Sequence, residues 1–391
     1  MMKFEKIDLL KNYYFISVLI YFSAIYLTFI RVGLFMSFIL VLASTVLYYK
    51  KKFLIRKGLD VLVIFYIIYN IFSFVFFTFS GLPYSVFFKE FSNSILPIIP
   101  FYFFGRLNYQ NSFYNTTLYA LAGCFLVGFY FYFTLPYNYM FFMNKIDGTG
   151  TNPIGYTINY HSILGITATG SLGAISLLLS LGKLYNSKFK KGKIIFLICL
   201  VALVLSFRRA ALYTGLFAIL WFNYLIIFKF KSQKFKILFF ELFIVLISIY
   251  KLLEFNPEFL DDLYERFNSF SDAIDSRSGS WFAGLSHTKS FITGDGLGRY
   301  GHKAVEFSNL YIPDGNYFRM IAELGFVGFS IFLLIIFNAI KLGIYNLKDN
   351  YINICIIIMV CLQAVGSDMF SFQIVAPLFW FAIGSCNKIT N

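Results

Sequence analysis

Charge is what this sequence most lacks. Only 13% of its 391 residues are Asp, Glu, Lys or Arg, while 59% are hydrophobic, with 53 Phe and 29 Tyr. So little charge cannot cover the surface of a soluble domain, and that class is excluded. Histidine is nearly as scarce. His161, His287 and His302 are the three present, none stands in an HExxH or clustered-carboxylate pattern, and neither a metal site nor a cofactor is expected. The cysteines Cys124, Cys199, Cys355, Cys361 and Cys386 lie inside apolar runs at no metal or redox spacing, which makes them packing residues. Internal repeats, low-complexity linkers and a nucleophile-elbow motif are also missing. A Ser-His-Asp hydrolase built from Ser286, His287 and Asp295 therefore has only sequence proximity in its favour.

What is there is apolar sequence in long runs. About twelve spans are predicted, at 13–30, 32–49, 59–79, 91–105, 117–135, 161–181, 194–207, 210–228, 237–255, 317–337, 351–366 and 371–386. The fold class is all-α, a polytopic integral membrane protein with residues 1–391 as a single transmembrane domain. The first span follows a charged start with no small-residue cleavage site after it, which reads as a signal anchor.

The formal charge of +14 falls along the chain in a way that speaks for topology and against nucleic acid as a partner. Lys3, Lys6 and Lys11; Lys50, Lys51, Lys52, Arg56 and Lys57; Arg106; Lys183, Lys188, Lys190, Lys191 and Lys193; Lys229, Lys231, Lys234 and Lys236; Lys341 and Lys348; and Lys388 all occupy alternate loops. The positive-inside rule then places both termini in the cytoplasm. Two long connections face outward, 136–160 and the large loop 256–316. The second holds five basic residues against nine acidic ones, which suits an outward segment.

Within that loop Leu260, Leu263, Phe267, Phe270 and Ile274 recur at spacings of three and four after Asn256-Pro257. The pattern predicts an amphipathic helix, and a second short helix is predicted near 280–291. The turn "GDGLGRYG", 294–301, contains GxGxxG at Gly296, Gly298 and Gly301. It lacks the strand and helix of a dinucleotide-binding unit, so a flexible turn with close backbone approach is expected instead.

"SFRRAALYTG", 206–215, is harder to explain. Arg208 and Arg209 stand side by side between two apolar runs, on the outward side, with no acidic neighbour in sequence. Snorkelling at a tight turn would account for them; so would a cationic site for an anionic, lipid-linked ligand. Arg277, Arg299, His302, Asp314, Asn316, Arg319 and Glu323 are further outward polar residues. Arg319 and Glu323 have the spacing of a simple helical ion pair, and Arg277 precedes Trp281 by four, which would bring a cation near an aromatic face. Several arginines facing one cavity would suit a pyrophosphate, because guanidinium forks match phosphate oxygens.

These segments, "SFRRAALYTG", "RSGSWFAGL…ITGDGLGRYG" and "DGNYFRMIAELGFVGFSIFLLIIF", together resemble the O-antigen polymerase (Wzy) family and the wider polymerase–ligase superfamily. The likeness covers mainly residues 200–340. Arg209 with Ala210 fills its basic-small step, Arg277 and Trp281 its Arg-then-Trp slot, Gly294–Gly298 its glycine-rich turn, and Asp314, Asn316, Tyr317, Glu323 and Gly325 its last segment. Ligases of the superfamily have a His directly before the Asn, where this chain has Gly315, which favours polymerase; His302 would restore the ligase reading if the loop folded back.

The resemblance implies an inverting, metal-independent glycosyl transfer without cofactor at the periplasmic face. The donor would be a growing glycan on undecaprenyl pyrophosphate and the acceptor a single lipid-linked repeat unit, with membrane lipids, a flippase and a chain-length regulator as further partners. Arg209 and Arg277 would stabilise the departing pyrophosphate, supported by Arg208 and Arg299. Asp314 would take the acceptor's proton, with His302 second. Trp281, Asn316, Tyr317, Arg319, Asn159 and His161 would hold substrate. Two other readings stay open: a ligase passing polymer to lipid A core, and a lipid-linked oligosaccharide flippase or transporter. The repeats common in transporters are not visible here.

Overall fold

The computed structural model describes residues 58–107, 110–134, 166–186, 189–206, 208–229, 243, 270–312, 314–372 and 375–388. The predicted spans 13–30 and 32–49, nearly all of 237–255, the loop 136–160 with Asn159, and His161 lie outside the described residues. Every regular element described is helical. In chain order these are α1 (Gly58–Thr78), α2 (Tyr84–Ser94), α3 (Ile98–Gly105), α4 (Gln110–Thr134), α5 (Ile166–Asn186), α6 (Phe189–Leu205), α7 (Arg209–Tyr224), α8 (Phe270–Ser286), α9 (Asn316–Tyr345), α10 (Leu347–Gln363) and α11 (Val375–Cys386). Among the described residues four stretches are long and apolar enough to cross a membrane: Gly58–Thr78, Gln110–Thr134, Arg209–Lys229 and Asn316–Tyr345. The third includes a π-helical turn, Leu225–Lys229, that continues α7.

Two predicted elements are redrawn. The span 91–105 is two short helices, because Pro97 has no amide hydrogen with which to continue α2 and instead precedes α3. The two helices predicted in the large loop are, over the described part, one helix ending at Ser286; residues 287–291 leave it for the glycine-rich turn.

The chain forms two compact units, one within Asn111–Ser269 and the other from the described residues of Thr45–Gln110 and Phe270–Asn391. In the first unit α5 is the buried member, with Leu172, Ala174, Ile175, Leu177 and Leu178 fully covered. Small residues let its neighbours approach: Gly173 lies against the Leu203 backbone of α6, and Gly215 of α7 against Ala174 and Leu203. Without water to drive burial inside a bilayer, such close packing supplies the attraction between helices.

In the second unit α11 is buried from end to end. Its C-terminus joins a polar knot whose ionic members are fully covered. Asp60 of α1 pairs with Arg106 at 3.1 Å, and its Oδ1 accepts from the Tyr102 hydroxyl at 2.6 Å and from Asn387 Nδ2 at 2.9 Å. Buried charges persist only when paired and hydrogen-bonded, so the knot fixes where α1, α3 and α11 end together. Asn387→Ala is expected to cost about 1–3 kcal/mol by withdrawing one of these donors, measurable as a lower melting temperature in detergent.

The longest helix is broken. Gly325 has φ 66° and ψ −178°, a backbone state that side chains disfavour, and α9 changes course there. The amides and carbonyls freed at the break are taken up by the glycine-rich turn. Asp295 and Gly296 donate to the carbonyls of Ala322 and Glu323 at 3.0 and 2.9 Å, and Phe326 and Val327 donate to those of Phe291 and Ile292 at 2.8 and 3.2 Å. The Tyr69 hydroxyl reaches the Leu324 carbonyl at 2.9 Å. Broken helices survive in apolar surroundings only when the freed groups find such partners. The turn shows the expected close backbone approach: a Cβ at Gly294 would overlap the Glu323 carbonyl. Two backbone bonds fasten the turn to α9, and two more fasten the 291–292 segment just before it.

Candidate functional site

One end of α9 gathers a cluster of ionisable side chains. Arg319, one turn into the helix and 7% exposed, is the hub. Its guanidinium meets Asp368 at 2.7 Å, Glu90 of α2 at 3.2 Å and the Ser371 hydroxyl at 2.8 Å. The helical pair with Glu323 expected from spacing exists, but at 4.0 Å it is the longest of the three ion pairs. Glu323 also accepts the Tyr300 amide at 3.0 Å, and Glu90 accepts the Ser94 hydroxyl at 2.8 Å. A cavity of about 30 Å³ bordered by Arg319, Glu323, Asn316 and Ser371 lies beside the hub, room for a water or two.

Asp368 carries the hub outward. Its Oδ1 accepts from Asn316 Nδ2 at 2.8 Å, and its Oδ2, besides meeting Arg319, lies 3.0 Å from His302 Nε2. His302 is half exposed at 52%, and its Nδ1 is 2.6 Å from the Tyr311 hydroxyl. Burial opposes ionisation of Asp368, yet the Arg319 guanidinium and the His302 ring outweigh it and hold the carboxyl below its usual range. Burial pushes the Tyr311 phenol up, and the charges of Asp368 and Asp314 push the same way, so it stays protonated.

A depressed carboxyl stabilises the fold above its ordinary value, near about pH 4, and the gain is lost as pH falls through the lower folded value. The unaltered chain should therefore lose melting temperature more steeply below about pH 4 than Asp368→Asn does.

Arg277 and Asp314 face each other beside this group, at 3.5 Å and with 42% and 38% of their side chains exposed. Arg277 also lies over Gly366, two residues before Asp368. Asp314 has φ 52°, a sparsely populated state for a residue with a side chain, and it precedes Gly315, the N-cap of α9. Backbone strain of that kind marks positions held by their surroundings. Trp281 is buried, with its ring stacked on Phe318 at 4.9 Å and Gly315 against its indole nitrogen.

The remaining expected residues divide by what they touch. Asn316 is committed at both ends of its amide, donating to Asp368 and accepting from the Phe370 amide at 2.9 Å, and so clamps the 366–371 turn to α9. The Tyr317 hydroxyl donates to the Cys361 carbonyl at 2.8 Å. Arg299 pairs with Asp295 at 3.3 Å, and Asp295 also accepts from the Tyr300 hydroxyl and the Lys289 amide, which fastens the turn internally. Arg208 and Arg209 belong to the first unit, where Arg208 caps the start of α7 with its side chain against Gly170 and Arg209 opens the helix.

Sequence reasoning missed Glu90, Asp368 and Tyr311. Two of them carried a signal: an acid at the edge of an apolar run, like Glu90 or Asp368, is costly enough to be suspected of a role. No family model and no curated protein matches the chain.

Proposed function

We propose that this protein is a polysaccharide polymerase of the outer face of the bacterial inner membrane, joining oligosaccharide repeat units carried on a lipid pyrophosphate. The observation that carries the reading is the pairing of functions at the head of α9. A part-exposed guanidinium, Arg277, suited to phosphate, lies against the 366–368 turn, whose Asp368 backs a half-exposed imidazole, His302. Arginine offers a fixed positive charge to a leaving group that gains negative charge as its bond to the sugar breaks. The neighbouring groups offer a proton acceptor for the attacking hydroxyl, either Asp314 or His302.

In the reaction the acceptor oxygen forms a bond to the anomeric carbon of the donor, and the bond from that carbon to the pyrophosphate oxygen breaks. The electron pair leaves with the lipid pyrophosphate, and the hydroxyl proton passes to the protein. Attack from the face opposite the leaving group inverts the anomeric centre. By the sequence likeness Arg208 and Arg209 also serve lipid-linked phosphate, and Arg209→Ala is expected to leave single repeats and no long chains on a glycan gel.

The test is a reconstitution of the purified chain with synthetic lipid-linked repeats. A ladder of longer glycans, formed with or without chelator, supports the proposal. Transfer to lipid A core alone would make the chain a ligase. Movement of the lipid across vesicles without new glycosidic bonds would make it a transporter.

A further inference from the structure

We infer that His302 is the group that accepts the acceptor's proton and that Asp368, anchored from below by Arg319, is the residue that positions it. The inference rests on the polymerase reading and deepens it. Four observations lead there. Asp368 Oδ2 is shared between His302 Nε2 at 3.0 Å and Arg319 at 2.7 Å, so the carboxylate cannot swing away from the ring without leaving a buried cation. Asn316 holds the other oxygen at 2.8 Å. An ionised carboxylate only accepts, so the ring nitrogen facing it carries hydrogen, and the neutral ring keeps its lone pair on Nδ1. The Tyr311 hydroxyl, a protonated phenol, lies against the ring, 2.6 Å from Nδ1 and 3.1 Å from Nε2, and His302 is otherwise half exposed, which leaves Nδ1 open to an incoming hydroxyl.

Asp368 is the carboxylate that faces the ring, at 3.0 Å. Asp314 is differently placed, with its carboxylate turned to Arg277. When the acceptor hydroxyl approaches Nδ1, its oxygen bonds to the anomeric carbon as its proton passes to Nδ1. The electron pair of the broken bond departs with the pyrophosphate. Asp368 stays ionised throughout and touches no substrate.

Two measurements test this on the full chain in lipid nanodiscs. In the polymerisation assay, His302→Gln is expected to lower kcat by about 10²–10⁴-fold with KM changed less than about threefold, the size of a lost general base. His302 is half exposed, so the substitution leaves the fold intact. In parallel, ¹⁵N spectra of labelled histidine, with His302 assigned by its loss in that variant, are expected to show the Nε2–H form when neutral, and Asp368→Ala to abolish the preference. A His302→Gln enzyme with kcat within threefold of the unaltered chain overturns the catalytic role, and an Nδ1–H ring in the unaltered chain overturns the positioning by Asp368. If the unaltered chain forms no polymer at all, the reaction assigned to the site falls and the role of His302 with it, whichever ring form is found.

Discussion

On the proposed reaction, Arg277→Ala is expected to abolish long-chain glycan and leave lipid-linked single repeats, with a fall in kcat of about 10²–10³-fold, the usual cost of removing one preorganised charge from a developing oxyanion. The direction follows from exposure. Arg277 is 42% exposed and its pairing with Asp314 at 3.5 Å is long, so solvent screens the pair and little folding energy is at stake. Removing the guanidinium therefore acts on bound phosphate rather than on the fold, and melting temperature should stay within a degree or two of the unaltered chain's. Arg277→Lys keeps the charge but loses the planar fork, and recovers only part of the rate. Asp314→Asn separates two roles for its carboxylate. A fall in kcat with unchanged KM would make Asp314 the proton acceptor, and a lowered KM for the donor would make it the internal partner that phosphate displaces from Arg277. Full-length glycan from Arg277→Ala at normal expression would remove Arg277 from the site.

Helix identity was legible where the physics is local. The run 59–79 is α1 almost to the residue, since an uninterrupted apolar stretch of that length has one solution in lipid. The span 91–105 was not, although its breaker, Pro97, stood in plain view; hydropathy averages over a proline that the backbone cannot ignore. Much the same holds for the site. Arg277, Asp314, His302 and Arg319 were singled out as polar residues near one apolar run, and they do assemble at the head of α9. Their partners were not found. Spacing pairs Arg319 with Glu323, four residues away, whereas its shorter ion pairs come from Glu90 and Asp368, which are 229 and 49 residues distant in sequence. Nothing local marks such a pairing, and without it the buried arginine has no evident purpose.

Gly325→Val should destabilise the second unit by about 3–5 kcal/mol, among the largest effects a single substitution produces. Valine at φ 66° is strained by its branched Cβ, and that Cβ would overlap the Ile292 carbonyl and the Gly294 amide. Relief requires the glycine-rich turn to draw back, which breaks the bonds from Asp295 and Gly296 to α9 and from Phe326 and Val327 to the turn. Eight backbone groups then lose their partners next to apolar sequence, where each unmet group is expensive. The damage also reaches the site, because Tyr300 leaves Glu323 and His302 is two residues further along the same turn. Two readouts check this: a fall in melting temperature in detergent, and new protease cleavage within 290–301. Gly325→Ala, with the same φ but a smaller side chain, should fall between the two proteins in both. A Gly325→Val chain that melted with the unaltered one and resisted cleavage would mean that the turn does not hold the break in α9 together.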